Sequence, residues 1–145
     1  RAQWKGRFEI HDLGGIPFVM DGAHNPAGAE ALKEAIEEQY PVKRRVLVFT
    51  SLQDKDTETV IQLLIHKGDR VFLTEAPTPR TRKPEEIAAM IDEQKIAAVH
   101  TAEPSVTKAL DAAQKEAKDG DVVIICGSLY ILGEAMEWMA KKIGN

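Results

Sequence analysis

The sequence predicts an α/β fold of Rossmann type: a mostly parallel sheet with helices on both faces and a β-hairpin at the amino-terminal end. Two observations predict it. Short apolar, largely β-branched runs alternate with stretches whose apolar residues recur at helical spacing, and no repeat, linker or low-complexity tract interrupts the alternation. The length of 145 residues, 43% of them hydrophobic and 29% charged, is that of a single globular domain spanning 1–145.

Residues 7–13 alternate apolar with polar, Gly14-Gly15 supplies a tight turn, and residues 16–20 are nearly all apolar, so the chain opens with a hairpin. Asn25-Pro26 offers a side-chain cap followed by proline at the first helical position, and Ala29, Leu32, Ala35 and Ile36 carry a helix up to Tyr40-Pro41. Val46-Leu47-Val48-Phe49 reads as a strand covered on both faces, with a helix through Val60, Leu63 and Leu64 behind Asp54-Lys55-Asp56. Strands at 71–73, 96–100 and 122–126 then alternate with helices at 84–94, 105–118 and 129–142. The opening hairpin adds an antiparallel edge to the parallel sheet.

In open sheets of this kind ligands lie outside the carboxyl ends of the strands. Four segments fall there: residues 21–26, 50–56, 74–82 and 127–130. Asp21 follows its strand directly and His24 stands at the mouth of a helix, so a carboxylate able to accept two hydroxyl protons sits beside an imidazole able to donate to an anion. Both read equally as solvated loop residues. Gly127-Ser128 makes an anion seat of backbone N–H groups and one hydroxyl, or Ser128 is simply a helix cap. Lys55 reaches an anionic ligand over the same edge, or pairs with Asp54 and Asp56 in solvent. Arg80, Arg82 and Lys83 read as part of a mobile exposed loop, and Lys43, Arg44 and Arg45 as solvated charges on the opposite edge. Cys126 and the tryptophans Trp4 and Trp138 read as packing residues.

Several functions are excluded or disfavoured. Nineteen basic against 23 acidic residues give a net charge of −4, the wrong sign for a domain whose main partner is a nucleic-acid backbone. No apolar run approaches the roughly 18 residues of a membrane span, and one cysteine closes no intrachain disulfide, which points to the cytoplasm. One Asp and one His do not fill a metal shell, so no metal site is expected. The G-x-S-x-G elbow of hydrolases, the P-loop motif and the G-x-G-x-x-G fingerprint are all absent. The first residues, Arg1-Ala2-Gln3-Trp4-Lys5, carry neither an initiator methionine nor a signal-peptide core and read as the start of a segment cut from something longer.

Trp4-Lys5-Gly6-Arg7-Phe8-Glu9, Asp21-Gly22-Ala23-His24-Asn25-Pro26, Asp54-Lys55-Asp56 and Gly127-Ser128-Leu129-Tyr130 occur together in an order that resembles the C-terminal domain of folylpolyglutamate synthases, including the bifunctional dihydrofolate synthases, in the Mur ligase family. The resemblance covers nearly the whole chain; Lys5 departs from it where proline is usual. It implies an enzyme that uses ATP to convert a folate carboxylate, on tetrahydrofolate or dihydropteroate, to an acyl phosphate that the amine of L-glutamate attacks. It further implies that ATP and Mg2+ are held mainly by a preceding P-loop domain, itself a partner of this one. By the same resemblance Arg7 and Asp21 bind nucleotide, His24 faces the reacting centre, and Lys55, Ser128 and Tyr130 serve the incoming glutamate. The isolated domain is expected to be inactive. The competing readings are a muramyl-peptide ligase, a stand-alone module that binds a nucleotide or carboxylate, and a protein-interaction domain.

Overall fold

A computed structural model describes residues 6–144 of the chain; Trp4 and Lys5, named above, lie outside the described residues. The elements run β1 (Glu9–Leu13), β2 (Ile16–Met20), α1 (Pro26–Gln39), β3 (Arg44–Phe49), α2 (Thr57–Leu64), β4 (Arg70–Leu73), α3 (Pro84–Glu93), β5 (Val99–Ala102), α4 (Val106–Glu116), β6 (Asp121–Cys126), a 3-10 turn (Leu129–Ile131) and α5 (Leu132–Gly144). One six-stranded sheet has the order β1-β2-β6-β3-β4-β5. The β1–β2 pair is antiparallel and every other pair parallel.

Local chemistry accounts for the elements. Gly14 and Gly15 take φ of 63° and 86° at the hairpin turn, where Gly15 N donates to Asp12 Oδ1 at 3.0 Å. Asn25 Oδ1 accepts from Gly28 N at 2.8 Å with Pro26 at the first helical position, starting α1 as the sequence predicts. α1, α2 and α3 cover one face of the sheet, through Leu32, Ile36, Ile61, Leu64, Ile87 and Ile91. α4 and α5 cover the other, where Phe18 meets Trp138 at 5.8 Å between ring centroids. Every residue of β6 is buried, the side chains of residues 122–126 divided between the two cores. Each fully buried large aliphatic side chain contributes roughly 1.5–3 kcal/mol.

Several boundaries shift by one or two residues, as where β3 begins at Arg44 and not Val46, and two larger differences from the sequence reading have a local cause. The fifth strand begins at Val99, not Ile96, because Lys95 takes a left-handed φ of 59° after α3 and Ile96 and Ala98 pack against the core beside α3. Those apolar residues supply burial without ladder bonds, and pairing with β4 begins only at Val99 opposite Arg70. The last helix is preceded by a separate 3-10 turn, since Ser128 Oγ accepts from Tyr130 N at 3.0 Å and the Leu132 N–H reaches back to Leu129 O.

Arg44 and Arg45 correct a third expectation, that they are solvated. They are the first residues of β3, at the amino-terminal edge of the sheet. Arg44 donates to Asp121 Oδ2 and Glu116 Oε2, both at 2.7 Å. Arg45 forks onto Asp69 at 3.0 and 2.7 Å and also donates to Leu64 O. Asp69 is buried and takes His66 N at 2.7 Å as well, so both oxygens of the carboxylate are hydrogen-bonded in a largely desolvated pair. A charge run read along the chain does not show the carboxylates that neighbouring strands bring to it.

Gly127, at the end of β6, has φ of 106°, and a Cβ there would lie 1.9 Å from Thr50 O. Gly127→Ala is expected to destabilise the domain by about 3 kcal/mol or more, measured as a fall in the urea midpoint. The Arg44 hydrogen bond, with the charge of Arg70 in support, holds the Glu116 carboxyl below its ordinary value of 4.5 despite some opposing burial. A lowered carboxyl contributes stability that is complete above that value and lost as pH falls through the lower, folded one. With Arg44 and Glu116 both partly exposed and screened by solvent, Arg44→Met is expected to cost about 0.5–1 kcal/mol near pH 7, the difference from wild type shrinking towards pH 3 in the same denaturation assay.

Candidate functional site

The carboxyl ends of β2, β6, β3 and β4 lie along one edge. β2 passes into α1 on one face, and the neighbouring β6 passes through the 3-10 turn into α5 on the other. The two connections diverge there, and a cleft of about 670 Å³ opens beside them, lined by Arg7, Phe8, Asp21, His24, Leu32 and Leu129 among others.

Asp21 anchors this cleft. Its N–H continues the β2–β6 ladder by donating to Ile125 O at 3.0 Å, which fixes the residue at the strand end. Oδ1 accepts from Ala23 N at 2.8 Å and Oδ2 from Phe8 N at 2.9 Å. The second bond depends on a hook formed by residues 6–8: Gly22 N donates to Gly6 O at 2.7 Å, and Gly6 N to Glu9 Oε2 at 2.6 Å. Phe8 takes φ of 47°, a left-handed conformation unfavourable for an aromatic residue and held by these contacts. Burial raises the Asp21 carboxyl above its ordinary value, opposed by the N–H groups of Ala23 and Phe8 and then by the charge of Arg7. Each carboxylate oxygen keeps a lone pair for a further donor.

His24 Nδ1 lies 2.9 Å from Gly22 O. A carbonyl only accepts, so Nδ1 carries the proton in that bond and Nε2 remains for other partners. Gly22 packs beneath Leu129, whose Cδ2 would lie 2.2 Å from a Cβ at that position. Sequence reasoning missed Phe8 and Leu129 as cleft walls. Nothing in their local pattern marks them, because the hook and the 3-10 turn meet only in the folded chain.

The other predicted residues lie at the ends of β6 and β3. Ser128 is buried and its Oγ serves as the cap described above. Tyr130 is half exposed, and its hydroxyl accepts from Arg80 Nη2 at 3.2 Å. Arg80 also donates to Asp54 Oδ2 at 3.1 Å, while Asp56 Oδ1 caps α2 through Thr59 N at 3.2 Å. Both acids flanking Lys55 are thus engaged elsewhere, and among the described residues the Lys55 ammonium forms no ion pair. The loop 74–82, expected to be mobile, is cross-linked to 50–56. Leu52 and Thr81 form an antiparallel bridge, Gln53 N donates to Arg80 O at 2.8 Å, and Arg82 N donates to Ser51 O at 2.9 Å. The structure therefore gathers Arg7, Asp21 and His24 in one cleft and sets Lys55, Ser128 and Tyr130 on the adjoining strand ends.

Cys126 is wholly buried, and desolvation pushes its thiol far above its ordinary value, which excludes it as a nucleophile. Among the described residues no three His, Cys, Asp or Glu side chains gather as a metal shell, and no helix is long and apolar enough to cross a membrane.

The sequence profile described as Mur ligase, glutamate ligase domain, matches residues 6–129. A Halobacterium salinarum protein named as a probable bifunctional folylpolyglutamate synthase/dihydropteroate synthase is 33% identical over 139 residues, covering 92% of this chain and 16% of its own length. The Escherichia coli FolC structure in complex with DHPP and ADP superposes with a TM-score of 0.82 at 26% identity, covering 96% of this chain and 32% of that one. A bifunctional folylpolyglutamate synthase/dihydrofolate synthase with Mn, AMPPNP and L-glutamate bound superposes with a TM-score of 0.80 at 25% identity, covering 94% of this chain and 32% of that one. The chain thus spans a third or less of the length of these relatives. With most of its length matched by the profile, from the hook to the 3-10 turn, the chain belongs to the Mur ligase family as a glutamate ligase domain.

Proposed function

We propose that residues 1–145 form the C-terminal domain of a cytoplasmic, ATP-dependent ligase that adds L-glutamate to a folate, and that a P-loop domain of the same enzyme holds the triphosphate and Mg2+. The observation that carries this reading is the half-buried Asp21 carboxylate at the divergence of β2 and β6, both oxygens oriented by backbone N–H groups and each with a free lone pair. That arrangement suits the paired hydroxyls of a ribose, and a cleft of about 670 Å³ has room for a nucleoside. The relatives named above, with their bound nucleotide, Mn and L-glutamate, favour the folate branch over a muramyl-peptide ligase.

In this mechanism the folate carboxylate attacks the γ-phosphate of ATP, releasing ADP and forming an acyl phosphate. The amine of glutamate then attacks the acyl carbon, and phosphate leaves as the amide forms. Arg7, exposed at the cleft mouth, and Asp21 bind the nucleotide. His24, with Nδ1–H committed to Gly22 O, presents Nε2 to the reacting centre. Lys55 supplies an ammonium for a glutamate carboxylate. Ser128 Oγ accepts from Tyr130 N and so retains its own hydrogen to donate to such a carboxylate. Tyr130 shapes the pocket wall. Closure of the two domains excludes water from an intermediate that would otherwise hydrolyse, and brings amine and acyl carbon together.

The complete gene product is expected to transfer labelled glutamate onto tetrahydrofolate in an MgATP-dependent manner, and transfer onto dihydropteroate as well makes it bifunctional. A folded product that binds ATP and transfers to neither overturns the reading. In the same assay Asp21→Ala is expected to raise the KM for ATP about tenfold or more while changing the KM for folate less than about twofold. Equal effects on both substrates overturn the ribose assignment.

A further inference from the structure

The assignment of Lys55 to glutamate requires its ammonium to stand in one place, yet Lys55 lies in a loop without a ladder of its own. Lys55 N donates to Leu52 O at 3.2 Å within the loop, and the side chain that clamps it from outside is Arg82, on the segment that follows β4. Arg82 Nε donates to Thr57 Oγ1 at 2.9 Å, and Nη2 donates to Gln53 O at 3.1 Å and Lys55 O at 3.3 Å. Two carbonyls flanking Asp54 therefore converge on one guanidinium nitrogen, and the turn between them is closed around it. Thr57 anchors the other end: it is buried at the start of α2, and its Oγ1 also lies 2.7 Å from Ser51 Oγ. The adjoining backbone bridge, Arg82 N to Ser51 O, sets the guanidinium at the height of the loop.

We propose that Arg82 is a positioning residue for the incoming amino acid, acting through the backbone of Lys55 and not by touching substrate. The inference rests on the proposed role of Lys55. All three side-chain hydrogen bonds of Arg82 go to the loop and to the first residue of α2. A planar fork meets such divergent acceptors at once; a lysine ammonium on a flexible stem does not. Arg82 thus makes the ends of β3 and β4 one unit, so that the place of the Lys55 charge is set by a residue 27 positions away.

The test is steady-state kinetics of the complete enzyme with glutamate, ATP and folate varied in turn, for Arg82→Ala, Arg82→Lys, Lys55→Ala and the double variant Lys55→Ala/Arg82→Ala. Arg82→Ala is expected to raise the KM for glutamate about tenfold with the KM for ATP nearly unchanged, Arg82→Lys to restore little, and the double variant to be no worse than Lys55→Ala alone. Arg70→Ala, which removes an arginine lying over Phe72, is the control for general destabilisation and should leave the glutamate KM unchanged. If Arg82→Ala does not fold, Thr57→Val removes the Nε acceptor, together with the hydroxyl's contacts to Ser51 Oγ and Lys55 O, and carries the same KM test. The proposal is overturned by an unchanged glutamate KM in Arg82→Ala beside a raised one in Lys55→Ala, by effects that multiply in the double variant, or by equal rises for ATP and glutamate. A silent Lys55→Ala overturns the Lys55 assignment itself, and the clamp's purpose with it.

Discussion

The insertion of β6 between β2 and β3 is the constraint on which the rest of the structure depends. The strand is buried along its whole length and hydrogen-bonded on both sides, so beyond Asp121, which pairs with Arg44, it is apolar, and it must be followed by a residue that lets the chain leave without a side chain. Gly127 is that residue, lying against Thr50 O where no Cβ fits. Because β2 leads to a helix on one face and β6 to a helix on the other, their carboxyl ends diverge and a cleft opens without a dedicated binding loop. The site follows from the topology.

The chemistry in that cleft works against local preference. A carboxylate drawn out of water at Asp21 is raised above its ordinary value, and an aromatic residue at Phe8 occupies a left-handed backbone conformation. Each is held by the other. The Phe8 N–H stabilises the carboxylate, and the carboxylate fixes the hook that gives Phe8 its conformation. Such mutual support produces an oriented acceptor that needs little rearrangement when a donor arrives, the condition for binding through hydrogen bonds in a partly dry site.

Charges at the two edges of the sheet are used differently. At the amino-terminal edge Arg44 and Arg45 close on Asp121, Glu116 and Asp69, tying β3 to β6 and to the start of β4. At the carboxyl edge Arg80 and Arg82 bind loops to one another, and the Lys55 ammonium stands without an ion pair among the described residues. Stability is concentrated where no ligand is expected, and uncommitted charge is left where one is. Similar arginines thus have opposite roles according to which end of a strand they occupy.

The sequence by itself determined the order and type of every strand and α-helix, since apolar period, caps such as Asn25-Pro26 and the Gly14-Gly15 turn are local signals that act before any tertiary contact. It also placed Asp21, His24, Lys55 and Ser128 at strand ends, because strand direction in βαβ units follows from the alternation alone. Only the tertiary structure decided which of them meet. Phe8 reaches Asp21 across a hairpin, Leu129 covers Gly22 from the 3-10 turn after β6, and Arg82 closes on the carbonyl of Lys55 from 27 residues away. It likewise moved the start of β5 and turned two apparently solvated arginines into paired ones. These outcomes rest on neighbours brought together by the sheet order, and a periodicity read along one chain carries no record of what lies across from it.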